Sequence, residues 1–148
     1  VLGSRHPEYA SSLMDLAALV QKRGDTAWAK MLLREAVDVR RTIFGENHPE
    51  YAHSLSVLAE LMLHQGEPLI KVETLLRQAL EIRRQTLGER HPAYAANLSS
   101  LAALMRRQDN LDAAEELLRQ ALEIREATIG IYHPDYVTNL GNLAWVLQ

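Results

Sequence analysis

Apolar residues recur along this chain with a helical period, and one stripe of them is written four times. Leu13, Leu16, Ala17 and Val20 stand at i, i+3, i+4 and i+7, the spacing that lines one face of an α-helix. The stripe returns as Leu55, Leu58, Ala59 and Met62, as Leu98, Leu101, Ala102 and Met105, and as Leu140, Leu143, Ala144 and Leu147. A His-Pro pair precedes each copy, at His6-Pro7, His48-Pro49, His91-Pro92 and His133-Pro134. Proline suits the first helical turn, where its missing N–H would have had no partner, which leaves His6 and its equivalents at the cap position. Each stripe therefore predicts a helix A, the first ending near Gly24. A helix B follows from about Thr26 to Phe44, with Ala29, Leu33, Ala36 and Val37 facing inward. Its copies place Val72, Leu76, Ala79 and Leu80, then Ala114, Leu118, Ala121 and Leu122, in the same way. Gly45, Gly88 and Gly130 end these helices, since glycine enters the left-handed conformation that commonly closes a helix without a Cβ penalty. Pro68 opens the second helix B after a longer turn.

The histidines at 6, 48, 91 and 133 are separated by 42, 43 and 42 residues. A glycine stands three residues before each of them and a tyrosine three after, and the run Leu75 to Arg83 returns unchanged as Leu117 to Arg125. A period of this size signals an array of supersecondary units. Helix A also carries a second apolar side, Leu19, Leu61, Leu104 and Val146, about 100° round from the main stripe. One hairpin cannot bury both sides, so the second must pack on a neighbouring repeat, as in a stacked solenoid. The expectation is an all-α chain of seven helices without a sheet. Its repeats span about 2–43, 44–86 and 87–128, with a half repeat at 129–148, in one domain of a longer protein. Val1-Leu2-Gly3 reads as the close of a preceding helix B. Leu140, Leu143, Ala144 and Leu147 lack a fourth helix B to cover them, which predicts either homo-oligomerisation through the C-terminal helix or a longer array.

These residues resemble the tetratricopeptide superfamily, in the 42-residue variety of kinesin light chains and similar bacterial proteins. The likeness rests on L-x-x-L-A in helix A, Gly24 and Gly66 at the hairpin turn, small residues in helix B, and the closing G-x-x-H-P. Asp109 replaces the turn glycine in the third copy, where Asp-Asn is itself turn chemistry. The resemblance implies a right-handed α-solenoid whose A helices line a concave groove that takes extended peptides. It places Ser11, Met14, Ala18, Gln21 and Lys22 on that groove, then His53, Ser56, Glu60, Leu63 and His64. Ala96, Ser99, Ala103, Arg106 and Arg107 follow, then Thr138, Gly141 and Trp145. Helical geometry agrees, because these positions lie roughly opposite the Leu13 stripe. One sub-class of the family clamps a terminal carboxylate with Lys and Asn. The matching positions here are Met14, Ala18, Val57, Ala96 and Ser100, which disfavours that mode. Kinesin light chains take acidic, tryptophan-containing peptides on a basic groove, and Lys22, Arg106 and Arg107 are a partial likeness. The resemblance thus implies a non-catalytic scaffold for a protein or extended peptide, with a preference for acidic ligands. The rival readings are a self-assembly module stacking through its open ends, and a regulatory domain of a larger enzyme or nucleotide switch.

Composition narrows the partners. The 148 residues are 47% hydrophobic and 24% charged, with a formal net charge of -3, which supplies no overall basic field for nucleic acid or an anionic membrane. No apolar run approaches the roughly 20 residues of a membrane span, and no signal region opens the chain. With no cysteine there is neither a disulfide framework nor a thiolate metal site, which fits a cytoplasmic setting. No phosphate-binding glycine loop, elbow serine or paired catalytic carboxylates stand out, so no enzyme and no cofactor are expected. His6, His48, His91 and His133 recur in phase, and a residue demanded by every repeat serves the repeat. His53, Glu60 and His64 share a helix face, but nothing completes a zinc shell, so they read as groove rather than metal residues. Arg34, Arg77 and Arg119, with Arg40, Arg83 and Arg125, form repeated basic positions on helix B. With Asp38, Glu81 and Glu123 four residues after the first series, they read as solvated surface pairs. The glycosylation sequon at Asn97-Leu98-Ser99 reads as a chance match. Trp28 and Trp145 break the repeat and mark either binding hot spots or covers for an exposed edge.

Overall fold

The computed structural model describes Gly3 and residues 6–148. Among these residues there are seven α-helices and no strand: α1 (Pro7–Lys22), α2 (Thr26–Phe44), α3 (Pro49–His64), α4 (Leu69–Thr86), α5 (Pro92–Arg107), α6 (Leu111–Thr128) and α7 (Pro134–Val146). The odd-numbered helices are the expected A helices and the even-numbered ones the B helices. The helix end expected at Val1-Leu2 lies outside the described residues.

Each A helix begins the same way. The residue before its proline is an extended histidine whose Nδ1 accepts a hydrogen bond from the N–H two residues on. The distances are 3.2 Å to Glu8, 3.1 Å to Glu50, 3.0 Å to Ala93 and 3.1 Å to Asp135. An acceptor at this position satisfies one of the orphan N–H groups of the first turn, a stabilisation of about 1 kcal/mol. Helix α2 is capped by Asp25 and α6 by Asn110, through their side-chain oxygens. Helix α4 starts directly after Pro68, whose carbonyl accepts from Lys71 at 2.9 Å. The turn inside each hairpin needs a left-handed residue: Gly24 and Gly66 have φ of +89° and +71°, and Asp109 adopts +59° in the third copy.

The chain divides into two compact units, Val1–Ile82 and Arg83–Gln148. In the first, α1 packs on α2 and α2 on α3. Helices α3 and α4 share a core of Tyr51, Ala52, Leu55, Ala79 and Ile82, with Val37 and Leu75 packed against it. In the second, α5 packs on α6 and α6 on α7. Of the residues expected to face inward on helix B, Ala29, Leu33, Ala36, Val72, Leu76, Ala79, Ala114, Leu118 and Ala121 are buried, while Val37, Leu80 and Leu122 are half-buried.

The two sides of helix A turn out to have different partners. In α1, which pairs with its own helix B, Leu13, Ala17 and Val20 are buried while Leu16 and Leu19 are exposed. In α7, which packs on the preceding α6, the pattern inverts: Leu143 and Val146 are buried, and Leu140, Ala144 and Leu147 are exposed. The main stripe is therefore divided. Its second leucine belongs with the Leu19 series, on the side that meets the preceding hairpin. This corrects the expectation that Leu143 is bare along with its neighbours; it is 9% exposed.

A second correction concerns the repeated arginines. Arg34, Arg77 and Arg119 are exposed as expected, although Arg77 and Arg119 pair with Glu73 and Glu115, four residues before them. Arg40, Arg83 and Arg125 are buried. Arg40 donates to the carbonyl of Glu50 at 3.1 Å and pairs with its carboxylate at 2.9 Å. Arg83 donates to the carbonyl of Ala93 at 3.2 Å and to Oδ1 of Asn97 at 2.8 Å. Arg125 reaches the Ser99 hydroxyl at 3.0 Å. Glu50 and Ala93 each stand two residues past the capping histidine, so Arg40 and Arg83 staple a B helix to the first turn of the next A helix. Desolvation lowers the pKa of Arg40 and Arg125, opposed by the nearby Glu50 and Asp135 charges. Arginine ordinarily titrates so far above neutrality that both stay charged.

Candidate functional site

The helix-A positions singled out as groove residues differ in what they offer. In the first unit Met14 is half-buried, and Lys22 lies exposed in the last turn of α1. His53, Glu60 and His64 are exposed along α3, with His64 Nδ1 donating to the carbonyl of Glu60 at 2.7 Å. Ser56 is buried, its hydroxyl donating to the carbonyl of Ala52 at 3.2 Å, because its turn of α3 is covered. His64 also lines a cleft with Gln21, Thr26, Lys30, Leu61 and Glu67. Lys30 and Glu67 form an ion pair there, and Gln65 donates to the carbonyl of Thr26 at 2.9 Å. The Lys30 hydrogen bond is the main reason the Glu67 carboxyl lies below its usual range; burial opposes it, while the charges of Lys30, Lys71 and Arg34 reinforce it. Lys30 belongs to a B helix, and nothing in the repeat pattern marked it as a neighbour of His64.

In the second unit the structure brings candidates together. The Arg106 guanidinium lies over the Trp145 ring, 4.7 Å from its centroid. Ser99 is half-buried. Its hydroxyl donates to Oδ1 of Asn139 at 2.6 Å and accepts from Arg125, while Asn139 itself donates to the carbonyl of Leu118 at 2.9 Å. A cavity of about 70 Å³ lies among Ser99, Ala102, Ala103, Arg106, Leu118, Asn142 and Val146. Arg107 is exposed, and Trp145 is 56% exposed. Asn142, Asn139 and Arg125 are site residues that sequence reasoning missed. Arg125 carried a usable signal, because it recurs in phase with Arg40 and Arg83.

Among the described residues no three His, Cys, Asp or Glu side chains are gathered so as to hold a metal ion, and no helix is long and apolar enough to cross a membrane. The sequon asparagine Asn97 is fully buried with its oxygen on Arg83, a position closed to a glycosylating enzyme in the folded state.

Adjacent helical hairpins of one repeating register define a helical repeat protein, an α-solenoid by class. The particular family is shown by the tetratricopeptide repeat model, which matches residues 8–69, 72–127 and 97–148, and the chain belongs to that family. Repeats of this family are typically non-catalytic scaffolds that bind proteins or peptides. Among solved structures, the nearly identical TPR-like repeats of a candidate kinesin light chain from Podosopora anserina superpose with a TM-score of 0.85 at 28% identity, over 95% of this chain and 66% of that one. A point variant of the same protein matches equally well. BtubC (BKLC) from P. vanneervenii has the same fold, with a TM-score of 0.82 at 22% identity, over 95% of this chain and 56% of that one. The chain thus spans just under two thirds of the first structure and little more than half of the last. No curated protein matches.

Proposed function

We propose that this chain is a non-catalytic binding module whose helix-A faces take an extended and preferentially acidic or acidic-aromatic peptide. The observation that carries the reading is where the repeats of this chain differ from one another. Positions that pack are the same in kind: Ala10, Ala52 and Ala95, or Leu13, Leu55 and Leu98, all buried. Positions on the helix-A face diverge. Ala18, Glu60, Ala103 and Trp145 occupy one register position, and Lys22, His64 and Arg107 another, and all but the half-buried Ala103 are exposed. A surface freed from packing and filled with unlike side chains suits recognition of a sequence rather than support of a fold. Lys22, Arg106 and Arg107 outnumber Glu60 among the candidates, which favours acidic ligands.

Selection of binders from a random peptide display library, followed by affinity measurement at low and high salt, tests this. Changing Arg106 and Arg107 to Glu should weaken the selected peptides most at low ionic strength, where exposed charges are least screened. Unchanged binding by the double variant would refute the groove assignment. Self-association is the second reading, supported by the bare Leu140 and Leu147 of α7 and the bare Leu16 and Leu19 of α1. Such faces on two copies would stack head to tail. Sedimentation over a concentration range decides it: the wild type should grow in mass and Leu140→Lys with Leu147→Lys should not, whereas a wild type monomeric throughout sinks it.

A further inference from the structure

We propose that the outer face of α2 and of the first turns of α4 binds the outer face of α6 in a second copy of this chain, a contact between opposite charges on the B helices that is independent of the helix-A face. The three helices stand in register, with Leu33, Leu76 and Leu118 at one buried position, and the face turned away from that core is exposed in each. Its constant positions carry both signs and set no preference: arginine at 34, 77 and 119, and an acid at 38, 81 and 123. The difference comes from positions that vary. Ala27, Ile70 and Asp112 share one of them, and Met31, Thr74 and Glu116 another, all exposed. Lys71 stands where α2 has Trp28 and α6 has Ala113. At these positions α2 and α4 are apolar, neutral or basic, whereas α6 carries two acids.

The two faces also differ in which charges are left unpaired. Around Arg34 and Lys71 the acids are committed: Glu67 to Lys30, Glu73 to Arg77, Asp38 to Arg41, and Glu35 to the Tyr9 hydroxyl. Among the described residues Arg34 and Lys71 themselves make no hydrogen bond or ion pair, and both lie near enough to Glu67 to act on its carboxyl. Met31 and Ile70, 63% and 69% exposed, are their neighbours on the two helices. On α6 the balance is reversed. Arg119 is committed to Glu115, and Asp112, Glu116 and Glu123, which line one open depression with that pair, have no cation of their own among the described residues. Leu111, 40% exposed beside Asp112, offers Met31 and Ile70 an apolar counterpart. Unlike faces attract and like faces repel, so the contact is heterologous, one face of one copy against the other face of the next.

Sedimentation velocity at about 0.01 M and about 1 M ionic strength, where the Debye length is about 30 Å and about 3 Å, tests the contact. The chain should associate at low salt and be monomeric at high salt. Arg34→Glu with Lys71→Glu, and separately Glu116→Lys with Glu123→Lys, should each raise the low-salt dissociation constant about tenfold or more, because attraction between the faces becomes repulsion. All four residues are exposed, so the circular dichroism spectrum should not change. An equimolar mixture of the two variants should associate where neither does alone, and the chain carrying all four changes should regain wild-type association, since its faces are again opposite in sign. A wild type monomeric at both ionic strengths overturns the contact, and poly-glutamate that binds this monomer but not Arg34→Glu with Lys71→Glu would give the face to a foreign acidic partner instead. Association that persists at high salt overturns it in favour of the bare leucines of α1 and α7, and failure of both the mixture and the fourfold variant to associate overturns it outright. Neither pair of substitutions touches the helix-A face. Arg106→Glu with Arg107→Glu should therefore leave the association unchanged, and a display library that yields no peptide sinks the groove without bearing on this contact.

Discussion

Leu98 and Leu140 occupy the same register position of the repeat, yet Leu98 is 2% exposed and Leu140 is 47% exposed. If the side of helix A that carries them is buried by its own helix B, then truncating the two to alanine must have unequal costs. Leucine to alanine removes three carbons, worth about 2.4 kcal/mol of transfer free energy at about 0.8 kcal/mol each when burial is complete. A cavity term adds to this in a packed site, bringing the typical range to about 2.7–5 kcal/mol. Leu98→Ala should therefore cost about 3–4 kcal/mol. At Leu140 roughly half of the side chain already faces water, so the transfer term falls to about 1.2 kcal/mol, and solvent fills the vacated space without a cavity term. The expected gap is about 2 kcal/mol. Urea unfolding followed by Trp145 fluorescence, in a Trp28→Phe background and at low protein concentration, reads the second unit directly, and the midpoint shift at constant slope gives the difference. Repeat arrays can unfold in steps, which is why the probe is placed on α7 itself. Equal costs at the two positions, at the lowest concentration, would refute the assignment of that side to helix B. A Leu140→Ala cost that grows with protein concentration would instead report a second copy covering the face.

Two further outcomes follow from local geometry. His91→Ala should destabilise by about 1 kcal/mol, because the Nδ1 acceptor for the Ala93 N–H is lost, while His91→Asn, which supplies a side-chain oxygen, should be close to neutral by thermal melting. Glu67 has its pKa depressed in the folded state, chiefly by the Lys30 hydrogen bond. Its contribution is therefore complete above the ordinary glutamate range and is lost as pH falls through the lower folded value. Stability measured against pH should decline on that acid limb, and Glu67→Gln should flatten the decline; an unaltered limb in the variant would assign the acid sensitivity to other carboxylates.

Much of this molecule is legible in one dimension because its architecture is periodic. The A and B helices, their histidine caps and the left-handed glycines depend on residues within a turn of each other, so local propensity and phase reveal them without a structure. The second apolar side, Leu61 and Val146 among it, announced a neighbour to pack on for the same reason. Which leucine meets which neighbour could not be read, since Leu143 and Leu140 look alike along the helix and are told apart only by α6 on one side and, among the described residues, no helix on the other. The arginines show the same limit. Arg34 and Arg40 are equally basic and equally repeated, and only the approach of the next A helix turns one to water and draws the other onto the Glu50 carbonyl. At the candidate site, the sequence named Arg106 and Trp145 separately, as a charge on one helix and a break in the repeat on another. Their contact, and the cavity that Asn142 and Ser99 line, arise from three helices meeting in space. Sequence periodicity encodes each helix's own face, whereas a contact between unlike residues on different helices is set by the packing that brings those faces together.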